Sequence, residues 1–156
     1  MKIVLCSDNH SNFSPIRYIL DKYPKCDYYW HLGDSEAYDL KELEPFISVL
    51  GNNDFYVELP KYRIINVANH NFLLIHGTNN LLYDLTNLAS YAKEKGCDTV
   101  LYGHTHVPKD CMIDGIRLIN PGSCFYNRDG SKPSFAILNI DKNGNIKCDF
   151  KTIDID

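Results

Sequence analysis

Short apolar runs alternate with polar loops along the first two-thirds of the chain. Four of these runs are typical of buried strands: Ile3 to Cys6, Tyr28 to Leu32, Phe46 to Leu50 and Thr99 to Tyr102. Between the first two runs, apolar residues recur at helical spacing from Ile16 to Tyr23. Ser14-Pro15 predicts an N-cap followed by proline at the first helical position, and Pro24 ends this helix.

The middle and the end of the chain add a hairpin, a helix and antiparallel strands. Residues 61–76 predict a hairpin whose turn is the segment from Ala68 to Asn71. Leucines and alanines from 81 to 92 predict an amphipathic helix that stops at Gly96. Asp114-Gly115 and Asn143-Gly144 are turn signals between β-rich segments. The order of elements predicts an α/β protein, with sheets flanked by helices.

Length and charge narrow the range of functions. A chain of 156 residues fits a single domain, 1–156, with little room for a second. Hydrophobic residues make up 44% and charged residues 23%, as in ordinary globular proteins. The net charge of -4 argues against stable nucleic-acid binding, which favours a basic face.

The apolar segments and the cysteines indicate a cellular compartment. The apolar run at the N-terminus is too short for a signal peptide, and no segment approaches the roughly 18 apolar residues of a membrane span. The six cysteines form no C-x-x-C pair, which favours free thiols in a reducing compartment over a disulfide framework. We therefore expect a cytoplasmic protein without a membrane partner.

Polar residues of metal-ligand type follow the predicted strands. Because ligands bind at the carboxyl ends of strands in open α/β sheets, these loops can deliver their side chains to one place. Each loop alone is weak evidence, since Gly-Asp and Gly-Asn are common turn sequences, but the ordered set is specific. The loops are Asp8-Asn9-His10, Gly33-Asp34, Gly51-Asn52-Asn53-Asp54, His76-Gly77 and Gly103-His104-Thr105-His106.

The order D-x-H, G-D, G-N, H-G and G-H-T-H resembles the calcineurin-like metallophosphoesterase superfamily. The segment from Asn120 to Ser123, N-P-G-S, resembles its small prokaryotic phosphodiesterase branch. The match runs from Asp8 to Ser123, which is most of the chain. The resemblance implies a two-sheet β-sandwich flanked by helices, which refines the α/β prediction.

The resemblance also implies a centre of two divalent metal ions. Imidazole and carboxylate ligands suit transition metals, with Mn or Ni preferred here and Fe, Co or Zn as alternatives. Two such ions can share a hydroxide whose pKa falls to roughly 7, and this hydroxide would attack phosphorus in line. The implied ligands are Asp8, His10 and His106 for the first metal, Asn52, His76 and His104 for the second, and Asp34 as the bridge.

Structural roles remain open for these residues taken one at a time. Asp8 and Asp34 can cap helices or turns, Asn52 suits a turn, and His76 can be a satisfied structural histidine. The other two histidines are not predicted to bind metal. We expect His31 to be a structural residue, with orientation of a ligand as the alternative, and His70 to be exposed and inert.

Neighbouring aromatic residues are expected to be structural as well. The run Tyr28-Tyr29-Trp30 is predicted to pack in the core or against a helix, with a role in an interface as the alternative.

Position 53 departs from the family pattern. The family pattern has a histidine at this position, which is thought to assist departure of the leaving group, whereas this chain has Asn53. A neutral amide cannot donate a proton as an acid, although it can hydrogen-bond a phosphate oxygen. Asn53 is therefore a candidate substrate contact, and what assists the leaving group is left open.

These observations favour a metal-dependent phosphodiesterase acting on a small phosphodiester. A non-catalytic scaffold of the same fold and a phosphomonoesterase acting on a small metabolite are the alternatives, and a homo-oligomer is compatible with each. The preference for diesters rests on the scarcity of arginines beside the motif loops, since a monoester carries additional negative charge. After Arg17 the remaining arginines are Arg63, Arg117 and Arg128.

Overall fold

Two mixed five-stranded sheets pack against each other in the computed structural model, which describes residues 1–155. The first sheet has the strand order β10-β9-β1-β2-β3, and the second has the order β4-β5-β6-β8-β7. The strands are β1 (Lys2–Cys6), β2 (Tyr28–His31), β3 (Ile47–Ser48), β4 (Tyr62–Val67), β5 (His70–Ile75), β6 (Thr99–Tyr102), β7 (Lys109–Ile113), β8 (Ile116–Asn120), β9 (Ser134–Ile140) and β10 (Ile146–Thr152). The predicted two-sheet architecture flanked by helices is confirmed.

Alternating residues of the central strands divide the core into layers. In β1, Ile3 and Leu5 face the second sheet, whereas Val4 and Cys6 face the opposite side. The outer face of the first sheet packs on helix α1 (Ser14–Lys22), and that of the second sheet packs on helix α3 (Leu85–Glu94). Both faces of the central strands are buried, which explains why their sequences are continuously apolar.

The helices begin differently from the sequence prediction. Ser14 is the first residue of α1 rather than its N-cap, because the side chain of Asn12 already accepts the Ser14 N–H at 3.1 Å. The single helix predicted from 81 to 92 is two helices, α2 (Asn79–Leu82) and α3. The break falls at Asp84, whose carboxylate accepts the Thr86 N–H at 3.0 Å and so caps α3.

The first hairpin turns over two residues instead of four. Ala68 and Asn69 have φ values of 50° and 64°, as a tight hairpin turn requires, and His70 pairs with Val67 as the first residue of β5. The prediction that His70 is exposed and inert is wrong. Its imidazole is 21% exposed and lies 2.5 Å from both the Asp98 carboxylate and the Gly144 carbonyl oxygen.

Other local predictions are confirmed. Asp114-Gly115 turns the β7–β8 hairpin, and Gly144 lies in the loop between β9 and β10. Trp30 is fully buried between the sheets, with its ring 5.2 Å from that of Phe72. All six cysteines are free thiols. Within residues 1–155, no helix is both long enough and apolar enough to cross a membrane.

Parallel pairing brings the motif loops to one edge of the two sheets. In the first sheet, β1 runs parallel to β2 and β2 runs parallel to β3; in the second, β5 runs parallel to β6. The loops that follow these five strands therefore meet. Backbone hydrogen bonds join them, from Asp8 N–H to Gly33 O at 3.0 Å and from Gly103 N–H to His76 O at 3.3 Å.

Candidate metal centre

The side chains of all seven predicted ligands meet at this edge. Two groups have ligand atoms within 4.8 Å of one another, and Asp8 belongs to both. The first group is Asp8, His10 and His106, and the second is Asp8, Asp34 and His76. Asn52 and His104 extend the second group: Asn52 Oδ1 lies 2.9 Å from His76 Nε2 and 3.0 Å from His104 Nδ1.

Four histidines turn a lone pair towards the centre, because each has its other ring nitrogen beside an acceptor. His10 Nδ1 lies 2.9 Å from a Glu36 carboxylate oxygen, and His106 Nδ1 lies 2.8 Å from the Tyr126 carbonyl oxygen. These contacts place the protons on the remote nitrogens and leave the two Nε2 atoms, 3.0 Å apart, as facing lone pairs.

The second pair of imidazoles is arranged in the same way. His76 Nδ1 lies 2.7 Å from the Leu32 carbonyl oxygen, and His104 Nε2 lies 2.5 Å from Asn79 Oδ1. His76 Nε2 and His104 Nδ1 then face each other at 3.3 Å without a proton between them. Lone pairs this close repel unless a cation lies between them, so the donor set fits a divalent metal ion in each group.

The surroundings of Asp8 also suit a bound cation. Its side chain is 1% exposed, and Oδ1 has no hydrogen-bond partner within residues 1–155. Oδ1 lies 3.2 Å from His106 Nε2 and 3.9 Å from His76 Nε2, so it faces both groups. Oδ2 accepts hydrogen bonds from the Ser7 hydroxyl and the His104 N–H. An unpartnered buried carboxylate oxygen is costly unless it binds a metal ion.

Asp34 also lies between the two groups. Asp34 Oδ2 is 3.3 Å from His76 Nε2 and 3.9 Å from His10 Nε2. Burial acts to raise the pKa of this carboxyl group, but the adjacent His76 imidazole lowers the pKa overall. For Asp8, burial is likewise opposed by the adjacent imidazoles of His10 and His106, which hold its pKa well below the ordinary value. Both carboxyl groups are therefore ionised.

Asn53 contacts the same carboxylate. Its side-chain amide donates to Asp34 Oδ2 at 3.0 Å, and its backbone N–H donates to Asp34 Oδ1 at 2.8 Å. The side chain predicted as a substrate contact thus lies at the mouth of the centre and is bonded to a predicted ligand.

His31 holds the loops rather than a ligand side chain. It is fully buried, and burial lowers its pKa to about 4, so the ring is neutral. Its Nε2 donates to Asn9 Oδ1 at 2.8 Å, and its Nδ1 accepts the Gly33 N–H at 3.1 Å. The ring therefore joins the loop after β1 to the loop after β2.

Three residues near the centre have roles that the sequence did not predict. Glu36 and Asn79 orient His10 and His104, as described above. The third, Asp54, is 7% exposed, and its carboxylate accepts backbone N–H groups of Gly51, Asp34 and Glu36 at 2.7 to 2.9 Å. The available signal was proximity, because Asp54 and Glu36 each lie two residues after a predicted ligand.

The N-P-G-S segment supports the centre from behind. Asn120 Nδ2 donates to the Gly103 carbonyl oxygen at 3.0 Å, and the Ser123 hydroxyl donates to the Asp8 carbonyl oxygen at 2.7 Å. Both side chains are fully buried. Their role is to hold the backbone of two ligand-bearing loops.

The backbone at the centre is unusual. Five of the seven predicted ligands have positive φ, a conformation in which non-glycine residues are uncommon, although aspartate and histidine are enriched there. These residues are Asp8 (59°), His10 (45°), Asp34 (57°), His104 (70°) and His106 (59°). Two flanking glycines are needed for space: a Cβ on Gly51 would lie 2.2 Å from the Asp34 carboxylate, and one on Gly103 would lie 2.3 Å from Ser7 Oγ.

The fold and this donor set define a metallophosphoesterase. The family model for the calcineurin-like phosphoesterase superfamily domain matches residues 1–143, and the chain belongs to that superfamily. A probable metallophosphoesterase of Bacillus subtilis is 29% identical over 144 residues, which cover 90% of this chain and 85% of that protein.

Further comparisons, with two solved structures and one more relative, agree with this assignment. A predicted phosphoesterase of Streptococcus pneumoniae has a TM-score of 0.87 and 30% identity, covering 97% of this chain and 88% of that one. A phosphodiesterase of Methanocaldococcus jannaschii is 26% identical over 163 residues, covering 91% of this chain and 95% of that protein. Vps29 of Entamoeba histolytica, solved with Zn²⁺, has a TM-score of 0.74 at 24% identity over 97% of this chain and 98% of that one, a likeness of fold alone.

Proposed function

We propose that this protein is a phosphodiesterase that uses two divalent metal ions. One observation carries the proposal: seven donor side chains converge, and four of them are imidazoles whose outer nitrogens are already bonded to acceptors. Without bound cations such an arrangement would destabilise the fold, because it brings lone pairs and buried carboxylates together. It suits a functional metal site.

The proposed ligand roles follow the two groups. His10 and His106 would hold the first metal, and Asn52, His76 and His104 would hold the second. Asp34 is proposed as the bridge, and the unpartnered Asp8 oxygen as a ligand of the first metal that also faces the second. Bound metal ions would lower the pKa of a water molecule and neutralise phosphoryl oxygens.

The chain's own residues would fix the geometry of the reaction. Glu36 and Asn79 keep the lone pairs of His10 and His104 pointing inward, and Asp54 holds the backbone that carries Asp34. Asn53, at the mouth of the centre, can exchange its bond to Asp34 Oδ2 for one to a phosphate oxygen. Mn and Ni are the proposed metals, with Fe, Co and Zn as alternatives.

A diester is favoured over a monoester by the arginines that the structure places elsewhere. Arg63 Nε donates to the Ser48 carbonyl oxygen, and Arg117 pairs with Asp110 at 2.8 Å. Arg128 is the one arginine near the centre in the described part of the chain. Its charge helps to lower the pKa of His104, which burial lowers most, and its backbone N–H donates to the His106 carbonyl oxygen at 3.0 Å. The single exposed guanidinium of Arg128 is less than the set of donors needed to neutralise the additional negative charge of a monoester.

The experiment is a panel of aryl diesters and monoesters assayed with purified protein. The protein is stripped with a chelator, and Mn, Ni, Co, Zn and Mg are added in turn. We expect no turnover when stripped, recovery with Mn or Ni, and faster hydrolysis of diesters. Full activity in the stripped protein would overturn the metal mechanism, and a clear monoester preference would overturn the substrate class. A protein that binds metal and hydrolyses nothing would instead be the scaffold.

A further inference from the structure

A groove of about 900 Å³ adjoins the metal centre and is not used by the chemistry proposed above. It shares Asn52 and His76 with the centre and extends past the start of β4 to helices α2 and α3. A phosphate held at the centre would therefore have its organic substituent at the mouth of this groove. The volume lies within the range of small-molecule sites.

One wall of the groove is aromatic. The rings of Tyr62 and Tyr91 meet edge to face, with centroids 6.4 Å apart at 86°. The Lys95 ammonium lies 4.6 Å from the first centroid and 5.0 Å from the second, which fixes the two rings against each other by cation–π contacts. Phe55, also in the lining, is 76% exposed. A preformed wall of this kind suits a flat ligand that stacks.

The same groove carries polar edges. Asn80 and Asn87 belong to the lining, and neither side-chain amide hydrogen-bonds to another residue of the part of the chain that the structure describes. Each amide offers both a donor and an acceptor. Leu81 and Ile75 add apolar surface to the same lining.

We propose that this groove binds the planar nitrogen heterocycle of a nucleoside-containing phosphodiester, an inference that rests on the proposed function. A heterocycle satisfies both features, since its face stacks on the tyrosines and its edge pairs with the amides. An acyl chain offers no group that can hydrogen-bond to the amides of Asn80 and Asn87, and a bare sugar would leave the aromatic wall uncovered.

Binding can be tested without activity. The chelator-stripped, ¹⁵N-labelled protein is titrated with adenosine and, separately, with ribose, neither of which carries a phosphate. We expect adenosine to shift the side-chain amide signals of Asn80 and Asn87, and ribose to leave them in place. Equal shifts with both ligands, or none with adenosine, would overturn the inference.

Variants locate the binding surface. Tyr62→Leu removes the ring from an exposed position at the start of the edge strand β4, and Asn87→Ala removes an amide from an exposed helix position. Loss of stacking should weaken adenosine binding about five-fold or more. Phe150→Leu is the matched control, because Phe150 is an exposed aromatic on the edge strand β10 of the other sheet. An unchanged affinity in both Tyr62→Leu and Asn87→Ala would overturn the assignment.

A kinetic comparison separates this inference from the proposed function. Methyl and thymidine 5′ esters of p-nitrophenyl phosphate share one leaving group, so a difference in KM reports on the other substituent. We expect a lower KM for the thymidine ester, and a smaller difference in Tyr62→Leu. Equal KM values would overturn the inference. Adenosine binding without hydrolysis of either ester would count against the proposed function and leave the groove assignment standing.

Discussion

The side-chain amide of Asn53 donates a hydrogen bond to Asp34 Oδ2 at 3.0 Å, and the backbone N–H of the same residue donates to Asp34 Oδ1 at 2.8 Å. The residue that stands in place of the family's histidine is thus bonded to the proposed bridging carboxylate. It can contact a phosphate oxygen from this position, but it cannot protonate a leaving group.

Asn53→His should therefore raise the rate on poor leaving groups more than on good ones. General acid catalysis raises rates roughly 10²–10⁴-fold. A histidine that is not optimally placed should raise kcat/KM on alkyl diesters about ten-fold. The measurement is kcat/KM for a series of diesters with leaving groups of increasing pKa. Asn53→Ala is the control, since it removes the amide without adding an acid. Equal effects of Asn53→His across the series would show that position 53 does not limit the reaction.

Asp34→Asn should weaken both metal sites together. Its Oδ2 lies within 4 Å of an imidazole nitrogen from each group, so loss of the charge affects both. His106→Ala should weaken the first site and spare the second, because His106 contacts Asp8 and His10 but not the second group of imidazoles. The check is metal content per chain after dialysis. Two ions retained in Asp34→Asn would contradict the bridging role.

Glu36→Gln should lower metal affinity without removing a ligand. The carboxylate accepts the Nδ1 proton of His10 at 2.9 Å and makes that imidazole a better donor. Loss of such an outer partner typically costs 10–100-fold in metal affinity. Titration with a competing chelator measures the change, and Glu94→Gln on the exposed side of α3 serves as the control. Affinity equal to that of the control would show that Glu36 does not tune the site.

The pair of His70 and Asp98 should make stability depend on pH. Burial acts to lower the pKa of His70, but hydrogen bonds to Asp98 and to the Gly144 carbonyl oxygen raise the pKa overall, against a smaller opposing effect of Arg117. A raised pKa stabilises the fold below the unfolded value of about 6.5 and ceases to do so as pH rises through the folded value. Because Asp98 is 46% exposed, the contribution should not exceed about 1 kcal/mol.

Thermal unfolding of the native protein and His70→Gln gives the test. The melting temperature of the native protein should exceed that of His70→Gln most near pH 5, which is above the lowered pKa of Asp98. This difference in melting temperature should shrink by pH 9. A difference in melting temperature that stays constant from pH 5 to pH 9 would mean that the His70 charge contributes nothing.

Sequence patterns predicted the strands and the convergence of the motif loops, because both depend on local features. Apolar runs mark strands buried on both faces, and the seven candidate ligands follow those strands directly. The residues that orient the candidate ligands could not be predicted in this way. Nothing near Asn79 in the sequence indicates that its side chain meets His104, since that contact depends on how α2 packs beside the loop after β6.

Errors arose where one side chain outweighed a periodic pattern. Asp84 caps α3 and divides a helix that the spacing of leucines made continuous. His70 was predicted to lie in a four-residue turn, but the turn has only two residues, and the ion pair of His70 with Asp98 joins positions 28 residues apart. Contacts across such a separation follow from the fold and not from local sequence.

The left-handed backbone at five of the proposed ligands also bears on how this chain can diverge. Each such position costs free energy, of order 1–3 kcal/mol in general, and glycine would adopt the same conformation with less strain. A descendant that no longer needed the metals would gain stability by replacing Asp8, Asp34 or His104 with glycine. Aspartate and histidine retained at these positions would then distinguish a metal-binding descendant from one that retains only the fold.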